Sequence, residues 1–470
     1  MKRALLILIG IVLLSGVLFG VGFGAFFWRF QAHPPKASYP PPANEMQARL
    51  QDLDYLLNLP ETDHSFSDEE TVRFEKHVRL LQESVETMSD AEFVMGVAAA
   101  AAISENGHTN LITRDLFKNL NSLPVRFFWF GDGLHIVRAR DTHEALLGAR
   151  VVLYEGKTPE AIVSGLDPFF GGNAPFLQFN VPSFLASPAA MHAAGLAAQP
   201  DHATLTLAFA DGRQREVVIE PEENPTAMMS VDEASLPIPS RQEKESGHDW
   251  RFAPIDTIAG AHYARQPETY HWTDSLPDEG FYVRLRLILD QDEKSLTHWL
   301  ADLGERLRAQ PVDYLVIDVR STFGGNYLLA RKFALSVSDF VAPGGRIYLL
   351  TDGGTFSAAI VTQAFALHAA GAQGVVVGST IGDDEQFWAE GGGFLTLPNS
   401  GLRIWVATGY HDWENGCTDW AQCFWLNIVL GVAAGPLDRD INAPLTYADY
   451  ANGVDTTLQA VLEAEGITSP

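Results

Sequence analysis

The sequence predicts an α/β protein in which a helical segment and a β-rich segment precede an α/β core. Three observations carry that expectation. Between residues 45 and 103 apolar side chains recur at three- and four-residue steps, the period of a helix. From about residue 124 to 220 the chain breaks into short β-branched and aromatic runs bounded by Gly and Asp. After residue 273 apolar strands alternate with amphipathic stretches, the pattern of a largely parallel sheet buried between helices.

Taken in order, the first element is a charge-free run from Ala4 to Trp28, flanked by Lys2, Arg3 and Arg29. A run of that length spans a bilayer of about 30 Å as a helix. Residues 1–29 are therefore expected to anchor the chain in a membrane. Lys2 and Arg3 would hold the N-terminus in the cytoplasm and leave the body outside, periplasmic or extracellular. The alternative is a cleaved signal, whose apolar region is typically shorter, about 7–15 residues; the protein would then be secreted. Residues 30–44, with five prolines in HPPKASYPPPAN, read as a stiff extended tether.

Residues 45–123 form the helical N-terminal subdomain. Leu50, Leu53, Leu56 and Leu57 mark one stripe, and Phe74, Val78, Leu81 and Val85 another. Ser67 opens one helix, and Ser89 opens the next with Glu92 at the capping-box position. Residues 124–272 are the β-rich middle region, in which 221–272 read as a polar loop or insertion. Residues 273–470 are the α/β core, opening with the strand FYVRLRLIL, the helix EKSLTHWLADLGERLRAQ and the strand DYLVIDVR.

Composition limits the function. Lys and Arg number 32 against 59 Asp and Glu, a formal net charge of −27. So acidic a body lacks the basic footprint that nucleic acid requires. Two cysteines cannot build a disulfide framework or a four-cysteine zinc site. There is no Walker A or HExxH motif, and the only G-x-G-x-x-G-like text lies inside the apolar run, so no cofactor or metal is expected. Oligomeric state cannot be read from the sequence.

Three segments stand out as candidates for chemistry: Asn106-Gly107-His108-Thr109 at the end of the helical part, Asp318–Asn326 (DVRSTFGGN) at a strand end, and Thr351–Ala359 (TDGGTFSAA) where a strand meets a helix. A serine that opens a helix has unpaired backbone N–H groups around it, which suit an oxyanion. Taken alone, Ser357 would more simply be an N-cap. Gly324 and Gly325 sit at the C-terminal end of a strand, where ligands bind in parallel sheets, although a plain turn also uses such glycines. A nucleophilic serine needs a base, and His108, 249 residues earlier, is the candidate; its simpler reading is a turn histidine.

In this order the segments resemble the C-terminal-processing (tail-specific) and tricorn-type serine peptidase family. Its members carry D-G-H-[ST], D-x-R-x-N-x-G-G and T-x-S-A; here the text is NGHT, DVRSTFGGN and TFSAA. LLGARVVLYEGKTPEAI, VVVGSTIGDD, FLTLPNSGLRIWVAT and DRDINAPLTYADYANGVDTTLQAVL are similar to flanking segments, so the resemblance covers roughly residues 50–465. It implies a crotonase-like (ClpP-like) core and an exported, membrane-tethered endopeptidase acting on polypeptides. The Ser–Lys branch needs a lysine about 25 residues after the serine, and GSTIGDDE has none. The tricorn-type branch implies Ser357 as nucleophile, His108 as base and Glu414 as a late glutamate, for which the alternative is a solvated loop carboxylate. It also implies Gly325 and Ala358 as the oxyanion hole, Gly324 and Thr355 as substrate-binding positions, and Thr109 near the position of a further hydroxyl.

Thr322 stands where Asn is usual, Arg439 where Pro is usual and Asn106 where Asp is usual, which marks a divergent member. The middle region carries no clear PDZ signature. In an exported protein Cys417 and Cys423 are expected to form a disulfide beside Glu414, the alternative being free thiols. The competing function is a catalytically silent ligand- or peptide-binding protein on the same fold.

Overall fold

The computed structural model describes residues 20–222, 250–253, 262, 265–266, 269–291 and 295–467. The expected membrane anchor is corrected. No helix among the described residues is long and apolar enough to cross a membrane. The described end of the apolar run, a helix over 20–30, is docked on the body instead. Phe26 and Phe30 lay their rings against Phe424, with centroids 5.3 and 5.0 Å away. The Arg29 guanidinium donates to the Ala421 carbonyl at 2.8 Å and contacts His64 Nδ1 at 2.9 Å. Two aromatics of the run, Phe26 and Phe30, thus cover an apolar face of the protein, while Phe23, Phe27 and Trp28 stay exposed. Residues 1–19 of that run lie outside the described residues. The proline-rich segment also follows the body: Gln51 and Tyr55 donate to the carbonyls of Pro40 and Pro35.

Three helices follow: α1 (Glu45–Leu56), α2 (Asp68–Ser84) and α3 (Asp90–Ala102). Both expected N-terminal signals are capping boxes, Ser67 with Glu70 and Ser89 with Glu92. The next strands are β1 (Val125–Phe130), β2 (Gly133–Arg140) and β3 (Arg150–Tyr154). Helix α4 (Ala174–Leu185) precedes β4 (Ala203–Ala208) and β5 (Gln214–Ile219). These strands make an antiparallel sheet in the order β1-β2-β3-β4-β5. A further strand, β6 (Trp250–Phe252), pairs with β2, so part of the segment read as a polar loop is sheet. The N-terminal helices and this sheet bury their faces in one core: Leu53, Phe74 and Val97 share it with Ile136 and Leu205. Each layer is one-sided in its apolar pattern, and neither is covered without the other.

The second sheet holds β7 (His271–Leu276), β8 (Gly280–Leu285), β9 (Val312–Asp318), β10 (Val341–Thr351), β11 (Gly374–Gly378) and β16 (Ile441–Asn442). Its order is β16-β11-β10-β9-β8-β7, parallel except for β7 on one edge. Helices α5 (Leu296–Ala309), α6 (Leu328–Ala334) and α7 (Ala358–Ala370) cover one face, where Leu315, Ile317, Ile347 and Leu349 are buried. Val316, Tyr348, Leu350 and Val377 point to the other face, against Leu458 and Val461 of α9 (Thr456–Ala464). Burial on both faces explains why these strands read as continuous apolar runs. Between β11 and β16 lie two ribbons, β12 (Gln386–Ala389) with β15 (Gly409–Asp412) and β13 (Phe394–Thr396) with β14 (Arg403–Trp405), then helix α8 (Trp425–Leu430).

Candidate active site

Ser357 lies where β10 gives way to α7, at the C-terminal edge of the parallel strands, the usual ligand side of such sheets. It occupies the N-cap position but does not cap: its side chain makes no capping bond. Its backbone sits at φ 55°, ψ −120°, a conformation that costs a non-glycine residue on the order of 1–3 kcal/mol. Neighbouring bonds enforce it. Asp352 Oδ1 accepts from the N–H groups of Ser321 and Gly354 at 2.6 and 2.9 Å. Thr355 Oγ1 donates to the Val319 carbonyl at 2.9 Å, and the Phe356 N–H donates to the Thr322 carbonyl at 3.1 Å. The turn that carries the serine is therefore laced to the end of β9.

That strand end is held in turn by a buried charge network. Arg320 grips Asp318 and also Asp455, its Nη atoms 2.8 and 2.9 Å from the Asp455 oxygens. Arg284 contacts Asp318 Oδ1 at 3.2 Å and donates to the Arg320 carbonyl at 2.7 Å. The Tyr282 hydroxyl donates to Asp318 Oδ2 at 2.5 Å. Burial alone would raise the Asp318 pKa, but the Arg284 and Arg320 guanidiniums outweigh it and hold that carboxyl at about 2. Beyond the network the chain turns through Gly324 and Gly325, at φ 134° and 132°. A Cβ on Gly325 would lie 2.1 Å from the Ile288 carbonyl oxygen. One on Gly324 would lie 2.9 Å from Ser357 Cβ and 3.2 Å from its Oγ. The glycine loop thus lies directly against the serine. Among the described residues no acceptor takes the N–H of Gly325 or of Ala358.

His108 follows α3 on a loop in which Glu105 takes φ 53°. Its imidazole is stacked between Phe356 and Phe387, with centroids 4.3 and 5.1 Å away. Phe356 is the residue before Ser357, so the serine and the histidine share one wall, and no hydrogen bond joins them. The carboxylate beside the imidazole is Asp383, whose Oδ2 lies 3.4 Å from His108 Nδ1. Burial pushes the Asp383 carboxyl up, against the lowering effect of His108.

Other expected site residues are placed differently. Glu414 accepts from Gln386 Nε2 at 3.1 Å and Asn415 Nδ2 at 3.3 Å, and has no contact with His108. The Thr355 side chain is fully buried in the turn and presents nothing to a ligand. Thr109 is equally buried; it donates to Asp63 Oδ2 at 2.8 Å and accepts from Asn106. Cys417 and Cys423 are joined in a disulfide, Cα–Cα 5.8 Å. Among the described residues no group of three or more His, Cys, Asp or Glu could hold a metal ion. A cavity of about 270 Å³ adjoins the Asp352-Gly353 turn, between Trp129, Phe179 and Ser379, and stops short of Ser357.

Asp383 was missed by the sequence reading, as were the Asp455 clasp on Arg320 and the aromatic sandwich. The text GDDE lacks the lysine of the Ser–Lys branch but sets a carboxylate 26 residues after the serine.

No family model matches the sequence, and no curated protein matches it. Solved structures do. Mature CPAF complexed with lactacystin matches with a TM-score of 0.54 at 14% identity, over 89% of this chain and 97% of that one. The chain has the fold of CPAF. A second structure of mature CPAF gives a TM-score of 0.50 at 14% identity, over 87% and 94% of the two chains. The photosystem II D1 C-terminal processing protease also matches, at TM-score 0.33 and 13% identity, over 84% of this chain and 99% of that one.

Proposed function

We propose that this chain is a serine peptidase that hydrolyses peptide bonds of polypeptides, with Ser357 as nucleophile and His108 as base. The observation that carries the reading is the state of Ser357. It occupies a helix start in a strained conformation, its hydroxyl is not used for capping, and the Gly324 backbone lies against it. A serine serving only as a cap would spend that hydroxyl on its own helix.

In the mechanism Ser357 Oγ attacks the substrate carbonyl, and His108 takes its proton and later delivers it to the leaving amine. Water then repeats the sequence on the acyl-enzyme. The N–H groups of Gly325 and Ala358 receive the oxyanion, each such donor being worth about 3 kcal/mol. The Ser357–His108 hydrogen bond forms as substrate closes the site, since such bonds are often long or unmade without it. Glu414 stays outside the mechanism because Gln386 and Asn415 hold its carboxylate. The fold likeness to CPAF supports the architecture; the chemistry rests on the residues.

The test is labelling with a fluorophosphonate probe, on the wild type and on Ser357→Ala and His108→Ala. Labelling that disappears in the first variant and falls sharply in the second supports the proposal. Three folded proteins that all fail to label would favour a silent binding protein.

A further inference from the structure

The imidazole of His108 has its freedom removed in two ways. Phe356 and Phe387 hold its faces, with interplanar angles of 28° and 17°. A ring so sandwiched can still turn within its own plane. The group that limits that turn is a carboxylate at its edge, Asp383 Oδ2, 3.4 Å from Nδ1. Asp383 is itself oriented: Oδ1 accepts from the Asp384 N–H at 3.0 Å, and among the described residues buried Oδ2 and both His108 ring nitrogens make no hydrogen bond. The loop leaves no slack, for a Cβ on Gly107 would lie 3.0 Å from the Phe356 ring and 3.1 Å from Asp383 Oδ2.

Among the described residues the surroundings offer Asp383 no other cation. Beyond Phe387 lies His411, stacked on it at 4.8 Å. Tyr327 donates to Asn427 Oδ1 at 2.7 Å, which turns the amide nitrogen of Asn427 toward His411 Nδ1 at 2.9 Å. Nδ1 of His411 is therefore the acceptor, and its proton sits on Nε2, 3.5 Å from Glu390. Burial lowers the His411 pKa and keeps that ring neutral. The titratable groups facing the pair are thus Asp384, His411 and, behind it, Glu390.

We propose that Asp383 is the positioning residue for His108: it accepts the Nδ1 proton and leaves Nε2 free to act as base. The proposal rests on the Ser357–His108 reading above. In bond terms nothing is transferred to Asp383. The proton on Nδ1 stays there while Nε2 takes and returns the Ser357 proton.

The experiment uses the full chain with Asp383→Asn, Asp383→Glu and Glu414→Gln, each checked for folding by thermal melting. Two readouts are taken: the rate of fluorophosphonate labelling against pH, and the titration of the His108 ring followed by NMR. Asp383→Asn should slow labelling by about 100-fold or more, because its amide donates to Nδ1 and drives the ring proton onto Nε2. It should also move the His108 titration to lower pH, because the anion that favours imidazolium is gone. Asp383→Glu should recover part of the rate, and Glu414→Gln should lose far less than Asp383→Asn. Labelling by Asp383→Asn within about threefold of wild type, with an unmoved His108 titration, would overturn the proposal; so would the larger loss at Glu414. If the wild type itself does not label, the peptidase reading fails separately. The NMR titration then still decides whether Asp383 governs His108.

Discussion

Gly324→Ala isolates the contact between the glycine loop and the serine. At φ 134° an alanine is strained, at a cost of about 1–3 kcal/mol if the backbone stays in place. Its methyl would lie 2.9 Å from Ser357 Cβ and 3.2 Å from Oγ, closer than carbon atoms pack. Either the serine or the loop must move, and the methyl also fills space beside the Ala358 N–H, 3.6 Å away. Loss of one oxyanion donor typically costs about 100- to 1,000-fold in rate. The expected result is that order of loss in fluorophosphonate labelling, with only a small fall in Tm, about 1–3 °C for a chain of this size. Gly344→Ala is the control. Gly344 takes φ 89°, yet an added Cβ there meets no atom within 4 Å. It should lose comparable stability and label as the wild type does. If Gly324→Ala labels like Gly344→Ala, the loop does not shape the site and the reasoning is wrong.

Asp455→Asn should weaken the clasp on Arg320 from 135 residues away, lowering Tm and slowing labelling about tenfold or less without touching the site; a normal labelling rate at a lowered Tm would show that the clasp serves stability alone. Asp318 is held near 2 against an ordinary value of 3.8. Its contribution is therefore fully present above the unfolded value and is lost as pH falls from about 4 to about 2, on the order of 2 kcal/mol. Denaturation midpoints across that range should fall, and more shallowly in Asp318→Asn. Raised carboxyls such as Asp352 and Asp383 act in the opposite sense, favouring the fold as they protonate. Replacing Cys417 and Cys423 together by Ser opens a short loop and should cost about 2 kcal/mol, read from denaturant midpoints; an unchanged midpoint would mean the link does not stabilise the fold.

What the sequence disclosed follows from where each signal sits. Ser357, Gly324 and His108 lie at element ends, where turn residues are visible in the text. The ordering of NGHT, the GG strand end and the serine turn carried the family resemblance, but not whether His108 and Ser357 meet, which is tertiary. Asp383 was hidden because its approach to His108 is tertiary: the loop after β11 passes beneath the loop after α3, and nothing periodic marks GDDE. The placement of Glu414 away from His108 follows the strand period. In the text HDWE, continuing β15, His411 and Trp413 are buried and Asp412 and Glu414 are not, the alternation of an extended chain. The hydroxyls beside His108 and Ser357 turn inward for a related reason. In a tight turn neighbouring side chains point in different directions, so Thr109 and Thr355 serve as clamps. The described end of the N-terminal run is not a membrane span, and hydropathy counts apolar residues without asking what they pack against. Phe26 and Phe30 cover Phe424 and Trp425.

A strained serine persists only where its surroundings cost more to rearrange than the strain returns. Here the restraints run in series. The turn at 352–356 is tied to residues 319–322, and those residues are tied through Arg320 to Asp318 and Asp455. A buried ion network of this kind is weak evidence for stability, since a well-packed apolar replacement is often as stable. What an apolar replacement could not supply is direction. Bidentate contacts fix the angle at which β9 ends, and that angle sets where Gly324 meets Ser357. On the opposite side the same logic applies to His108. Phe356 belongs to the serine turn and also forms one face of the imidazole sandwich. Any shift of the turn therefore moves Ser357, the Gly324 loop and the His108 ring together. The relative geometry of the three is preserved better than any of their absolute positions.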